Sequence, residues 1–244
     1  MTASRPRAPA GKRLYAIGDI HGCRGQLEAL LQQIREDAAP GARPDAPWDG
    51  RGENVLITLG DYVDRGPGSR EVLEILSGSP LPGFTCVHLR GNHDAMMRDF
   101  LKDPATGRLW LMNGGDATCR SYLQDPTDPP FELSAALRRA LPPRHRSFLE
   151  SLALSHVEGD YLFVHAGLRP GIPLAEQDPE DLIWIRDPFL LSTLDHGRVV
   201  VHGHSPTDAP DRQPNRIGID TGACYGGHLT CLVLEGEEQR FLRA

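Results

Sequence analysis

The strongest constraint in this chain is Gly60-Asp61-Tyr62-Val63-Asp64-Arg65-Gly66, which follows directly on the apolar run Val55-Leu56-Ile57-Thr58-Leu59. A strand that ends in two carboxylates, a guanidinium and two glycines cannot be accounted for by packing, because a core cannot take unpaired charge. It puts that charge at the edge of a sheet, where a ligand can use it. Leu14-Tyr15-Ala16-Ile17 likewise runs into Gly18-Asp19-Ile20-His21-Gly22, and Thr85-Cys86-Val87-His88-Leu89 into Arg90-Gly91-Asn92-His93-Asp94. In an open α/β sheet ligands gather outside the carboxyl ends of the strands, so three such ends can converge on one point.

Helical patterns follow each turn. Leu27, Leu30, Leu31 and Ile34 recur at the spacing of a helix stripe, 70–76 gives a second helix, and Met96, Met97, Phe100 and Leu101 mark a third. The first half is therefore a βαβαβα array with parallel strands at its centre. Residues 38–52 read as a surface loop. From 104 to 158 prolines break the pattern and two helices are expected, 133–141 and 144–154, as a helical insertion beside the site. The last third returns to strands: 161–164 leads into His165, 199–201 into His202-Gly203-His204, 216–219 into Asp220, and a terminal hairpin turns at Glu235-Gly236-Glu237. It reads as a second, mixed or antiparallel sheet. The expected fold class is α/β, a helix, sheet, sheet, helix sandwich, with 1–12 as a flexible tail and 13–244 as one domain.

A formal net charge of -7 over 244 residues argues against general nucleic-acid binding, because phosphate backbones are held by basic surfaces, so any phosphate recognition must be local. Five scattered cysteines without a C-x-x-C pair indicate neither a disulfide framework nor a thiolate zinc site, and a reducing cytoplasm is the expected location. The first dozen residues lack the apolar segment of a secretion signal, and no run approaches the ~18 apolar residues of a membrane span.

The strand ends together carry Asp19, His21, Asp61, Asn92, His165 and His204. Carboxylate, amide oxygen and imidazole without thiolate suit manganese, iron, zinc or cobalt better than calcium. Two ions account for more of these residues than one. An Asp can bridge ions about 4 Å apart and a hydroxide between them can attack phosphorus in line, with Asp61 as the bridging candidate.

The ordered set GDIHG, GDYVDRG, RGNHD, VHAG and GHSP resembles the signature of the PPP-type metallophosphatases. Trp110-Leu111-Met112-Asn113-Gly114-Gly115, Ile183-Trp184-Ile185-Arg186 and Ile219-Asp220-Thr221-Gly222-Ala223 are similar to segments of the branch that holds the bacteriophage lambda phosphatase and its bacterial, including rhizobial-type, relatives. The resemblance implies a metallophosphoesterase-type αββα sandwich and a calcineurin-like domain. It implies that Asp19 and His21, with Asp61, bind one metal, and that Asp61, Asn92, His165 and His204 bind the other. Manganese is the expected ion, with iron, zinc, cobalt or nickel as alternatives. His93 would protonate the leaving oxygen, Asp64 would orient its imidazole, and Arg65 and Arg186 would hold the phosphoryl oxygens. Ala166 departs from the usual HGG, and Asp94 stands where eukaryotic members carry Glu.

The expected activity is a metal-dependent phosphoprotein phosphatase for phosphoserine and phosphothreonine, with phosphotyrosine or a small phosphorylated molecule as further substrates. The alternative is a symmetrical bis(5'-nucleosyl)-tetraphosphatase, whose relatives look like GD-x-V-A-R-G, whereas this chain keeps Asp64 before Arg65. A binding module on a disabled phosphatase fold would show gaps among the ligands, and none is found. His202 is expected to be structural, Arg90 to form an ion pair, Asp220 to shape a turn, and His156 and His196 to face solvent.

Overall fold

The computed structural model describes residues 5–42, 52–124, 126 and 129–244. Strand β1 (Lys12–Ile17) pairs in parallel with β2 (Glu53–Thr58), and β2 in parallel with β3 (Thr85–His88). Helices α1 (Arg24–Ala38) and α2 (Ser69–Leu76) make the crossovers, and α3 (Asn92–Lys102) leaves β3. The alternation in the sequence thus gives the parallel centre expected of it. The second sheet comprises β4 (Ser155–Glu158), β5 (Tyr161–Val164), β6 (Val199–His202), β7 (Asp211–Arg212) and β8 (Arg216–Gly218), in the order β4-β5-β6-β8-β7. Its central strands β5, β6 and β8 are parallel and its edges antiparallel, so it is mixed. The terminal hairpin, β9 (Thr230–Glu235) and β10 (Glu238–Arg243), is not part of it. β9 pairs antiparallel with β1, and the first sheet runs β10-β9-β1-β2-β3.

Side chains sort between the layers with the period of two that a strand imposes. Leu14 and Ala16 of β1, with Val55 and Ile57 of β2 and Leu232 and Leu234 of β9, face the second sheet and form one cluster with its Tyr161, Phe163 and Val201. The alternate residues Tyr15 and Ile17 face α1, α2 and the insertion helices. On the far side, Leu162, Val164 and Val200 are covered by α8 (Pro179–Trp184) and α9 (Asp187–Leu190) through Leu182, Ile185 and Phe189. The central strands β1, β5 and β9 are thereby buried along most of their length, while the edge strands β4, β7 and β10 stay partly exposed.

The insertion is helical through α4 (Gly107–Trp110), a π-helical turn (Leu111–Gly115), α5 (Asp116–Tyr122), α6 (Pro130–Ala140) and α7 (Pro143–Ser151). Proline opens α6 and α7 because the first turn of a helix has no partner for the N–H that proline lacks. The expected helical segment 104–158 ends early, since its last four residues form β4. The expected free tail over 1–12 also needs correction. Ala8 is buried, with its N–H 2.8 Å from the Gly236 carbonyl, the Arg7 N–H is 2.8 Å from Asp160, and β1 already begins at Lys12. Residues 1–4, and most of the loop expected at 38–52, lie outside the described residues. No helix among the described residues is long and apolar enough to cross a membrane.

One half-buried histidine gives the fold a pH dependence. His88 packs against the Tyr62 and Phe148 rings, with Nδ1 2.8 Å from Thr58 Oγ1, and burial lowers its pKa to about 4. A free imidazole titrates near ~6.5, so below that pH the unfolded chain binds a proton that the folded chain refuses until about pH 4. Stability therefore falls as pH drops through this window, by at most about 3 kcal/mol from this group. Denaturant melts at pH 7 and 4.5 should show a shallower loss for His88→Asn than for the parent, and parallel losses would reject the assignment.

Candidate active site

Six parallel strands, three in each sheet, end at one rim. The turns leaving β1, β2 and β3 carry Asp19 and His21, then Asp61, then Asn92 and His93, while β5, β6 and β8 lead to His165, His204 and Asp220. The sheet ends thus bring together residues far apart in the chain, such as Asp19 and His204, which are 185 positions apart. All eight of Asp19, His21, Asp61, Asp64, Asn92, His93, His165 and His204 are buried.

Among the described residues, the non-glycine positions with positive φ are His21 (44°), Asp61 (50°), Asp64 (76°), Arg65 (66°) and His204 (65°). Every one belongs to the set picked out from the sequence. Such backbone costs on the order of 1–3 kcal/mol per residue and persists only where its surroundings hold it. Asp94 is one such surrounding: its buried carboxylate accepts the N–H groups of Gly91 (2.9 Å), Asp61 (2.8 Å) and Tyr62 (3.0 Å). Burial and the nearby Asp61 push the Asp94 carboxyl up to about 8.

Two glycines let carboxylates lie on bare backbone. A Cβ on Gly91 would sit 2.0 Å from Asp61 Oδ1, and one on Gly203 would sit 2.0 Å from Asp19 Oδ1. Gly203→Ala should therefore expel the Asp19 carboxylate and cost about 1–3 kcal/mol, as overpacking does. A thermal melt matching the parent would show that Asp19 can move aside without strain.

The donor atoms form two groups that share one residue. Ligand atoms of His21, Asp61 and His93 lie within 4.8 Å of one another, as do those of Asp61, His165 and His204. Asn92 joins the second group, with Oδ1 3.0 Å from His165 Nε2. Asp19 stands slightly apart in this arrangement, its two oxygens accepting the His204 N–H at 3.0 and 3.2 Å. Backbone carbonyls fix two of the rings, Val63 on His21 Nδ1 (2.9 Å) and Leu59 on His165 Nδ1 (3.0 Å), which leaves each Nε2 turned to the site.

The electrostatics suit a cation. Burial, then Asp220 and Asp61, push the Asp19 carboxyl well above its ordinary range. Burial opposes the charge of Asp61 as well, but the imidazoles of His165, His93, His21 and His204 outweigh it and hold that carboxyl low. Burial lowers His21 to about 3 and His204 to about 2, the latter helped by His165 and Arg186. These imidazoles are neutral at physiological pH, with lone pairs available. His204 Nε2 is buried with no hydrogen-bond partner among the described residues. A buried nitrogen without a partner, beside carboxylates that repel one another, fits a site that could hold divalent ions.

Beside these donors, His93 Nδ1 lies 2.7 Å from Asp64 Oδ2. Burial works to lower His93, but Asp61 and Asp64 outweigh it and raise its pKa above the ordinary value. Arg65 reaches both His21 Nε2 and His93 Nε2, the latter at 2.9 Å, and its guanidinium lies 5.4 Å from the centre of the Tyr225 ring. Arg186 is exposed at the rim, 3.4 Å from Ser205 Oγ, and its charge acts on His165, His204 and Asp220.

Other positions fall away from the site. His202 is buried, with Nδ1 3.0 Å from the Gly203 carbonyl and Nε2 3.4 Å from Arg216. Arg90 donates to the Leu152 carbonyl at 3.2 Å and makes no ion pair among the described residues, contrary to expectation. Asp220 accepts the Gly222 N–H at 3.0 Å, as a turn-forming carboxylate does, yet it is buried beside Asp19, and its pKa rises to about 6 chiefly through burial. Trp110 and Thr118, which bond Asp64, drew no role from the sequence, since nothing in a local pattern announces a partner some fifty residues away.

The calcineurin-like phosphoesterase family matches residues 12–228. Serine/threonine-protein phosphatase 1 of Salmonella typhimurium is 30% identical over 234 residues, covering 93% of this chain and 94% of that protein. The asymmetrical bis(5'-nucleosyl)-tetraphosphatase PrpE of Bacillus subtilis is 27% identical, with 88% and 87% covered. Among solved structures, a cold-active protein-tyrosine phosphatase from a psychrophilic Shewanella superposes with a TM-score of 0.63 at 17% identity, covering 98% of this chain and 82% of that one. A structure provisionally described as a diadenosine tetraphosphatase gives a TM-score of 0.67 at 22% identity, with 99% of each chain covered. The αββα sandwich, the shared Asp61 and the match over most of its length make this chain a member of the calcineurin-like phosphoesterase family, a hydrolase of the metallophosphatase type.

Proposed function

We propose that the chain is a phosphoprotein phosphatase that hydrolyses phosphoserine and phosphothreonine monoesters, with phosphotyrosine as a further substrate. The observation that carries this is the Asp64–His93 pair, 2.7 Å apart and buried. An alkoxide leaves poorly unless it is protonated, and a positioned acid is worth ~10²–10⁴ in rate. With Nδ1–H given to Asp64, His93 presents Nε2 to the site and can deliver a proton from that atom.

Arg65 lies between that acid and the His21 donor, and Arg186 stands at the rim, so two guanidinium forks can grip the equatorial phosphoryl oxygens and gain as charge builds up. Asp19, His21 and Asp61 would hold one divalent ion and Asp61, Asn92, His165 and His204 the other, with manganese as the expected metal. Bound there, the ions supply a nucleophile made from water near neutral pH and neutralise charge on the phosphoryl group.

A dinucleoside tetraphosphate is the second reading, favoured by the activity named for the Bacillus subtilis relative. Its leaving group is a phosphate that needs little protonation, so a retained acid pair speaks for the ester. The Mn-loaded protein should be assayed on phosphoserine, phosphothreonine and phosphotyrosine peptides and on diadenosine tetraphosphate. Peptide turnover well above nucleotide turnover is expected. Nucleotide cleavage, to two ADP or to ATP and AMP, with inert peptides would replace the proposal.

A further inference from the structure

We propose that the helical insertion positions the acid pair, with Trp110 and Thr118 holding the Asp64 carboxylate so that it fixes the ring of His93. This deepens the phosphatase reading above and rests on it. Asp64 is fully buried and accepts hydrogen bonds from three side chains. The Trp110 indole N–H points at both oxygens, 2.8 Å from Oδ2 and 3.1 Å from Oδ1, and the Thr118 hydroxyl donates to Oδ1 at 2.7 Å. His93 Nδ1 takes the remaining place on Oδ2 at 2.7 Å. A carboxylate with both oxygens occupied cannot swing away, so the imidazole bonded to it has one orientation and one tautomer. In the neutral ring Nδ1 donates to Asp64 and Nε2 accepts the Arg65 N–H at 2.9 Å, and in the imidazolium, the acid form, a proton on Nε2 takes the place of that contact while Asp64 still holds Nδ1–H.

The backbone of the insertion is shaped for this contact. Trp110 is buried against Phe100, with ring centroids 4.9 Å apart, and the π-helical turn after it brings the chain back over Asp64 and Arg65. Gly114 in that turn has φ 105°, and its carbonyl accepts the Arg65 N–H at 3.1 Å. A Cβ on Gly115 would sit 2.5 Å from the Trp110 ring, so only glycine lets the indole lie where it reaches Asp64. Thr118 also accepts the Asp64 N–H at 2.8 Å and lies 3.0 Å from Ser69 Oγ, which ties the strained φ of Asp64 to α2 and α5 together. A π-turn, two glycines and two donors converge on one carboxylate, which packing alone does not require.

Neither Trp110 nor Thr118 touches the reacting atoms in this account, so both are positioning residues, and leaving-group dependence separates that role from general support of the fold. An alkyl ester such as a phosphoserine peptide needs the proton from His93, whereas p-nitrophenyl phosphate has a leaving group stable without one. The ratio of kcat on the two substrates is measured for the Mn-loaded parent, His93→Ala, Trp110→Phe, Thr118→Val and Thr118→Ser. His93→Ala should lower kcat on the peptide far more than on the aryl ester. Trp110→Phe and Thr118→Val should do so on the order of tenfold, a fraction of the ~10²–10⁴ that a positioned acid supplies, while Thr118→Ser keeps its donor and the parent ratio. Lost packing or lost metal lowers both rates together and leaves the ratio alone. If Trp110→Phe does not fold, the Thr118 pair decides. Parent-like ratios in Thr118→Val and Trp110→Phe beside a selective His93→Ala overturn this proposal alone. An unselective His93→Ala overturns the acid role itself, and this proposal with it.

Discussion

Asp61→Asn is expected to abolish metal-dependent turnover while leaving the chain folded. Asp61 is the residue common to both donor groups, and its carboxyl lies well below the ordinary carboxylate range. Asparagine keeps the shape and the Oδ1 that accepts the His93 N–H at 3.0 Å, so the turn should survive and the charge alone is lost. A bound ion contributes several kcal/mol of transition-state charge stabilisation, and about 1.4 kcal/mol is a decade, so kcat should fall by about 10³-fold or more. Elemental analysis of the purified variant should show metal content falling with kcat. A variant that keeps both the metal content and the rate of the parent would remove Asp61 from the centre of the account.

His93→Ala is expected to lower kcat on a phosphoserine peptide by ~10²–10⁴, with metal content unchanged. The second half of that outcome matters because His93 also lies within reach of the group formed with His21 and Asp61. Its Nδ1 is engaged by Asp64 at 2.7 Å and its Nε2 by Arg65 at 2.9 Å, an arrangement for a proton donor beside a phosphoryl clamp. Were His93 a ligand, removing it would release metal and depress every substrate alike. Elemental analysis alongside kcat separates the two, and metal loss in His93→Ala would reassign the residue from acid to ligand.

The parts of the site that were legible in the sequence are those whose chemistry and position are both local. A strand, a glycine turn and a polar side chain fall within a few residues in GDIHG, GDYVDRG and RGNHD, so strand ends and candidate donors could be named together. The strain at His21, Asp61, Asp64 and Arg65 falls in two of the same turns and that at His204 in the GHSP turn, where a polar side chain takes a backbone conformation that glycine would adopt more easily.

What was not legible depends on contacts between distant segments. The period of two in β9 says that alternate residues face two different layers, but Leu232 and Leu234 would be equally apolar in either sheet, so the partner strand was open. Asp94 stands out in the sequence only as a departure from the Glu that follows the histidine in eukaryotic members. Its role in holding three backbone N–H groups appears only once the β2 turn and the start of α3 are side by side. Residues 5–12 carry no pattern that predicts their hydrogen bonds to Asp160 and Gly236, because backbone donors and acceptors are present in every sequence.

The measurement that tests the central claim most directly is an anomalous diffraction map from a crystal of the protein grown with Mn2+. The account predicts two peaks flanking the Asp61 carboxylate, one towards His21 and Asp19 and the other among Asn92, His165 and His204. A map with no peak in contact with Asp61, or with manganese bound elsewhere on the surface, would contradict it.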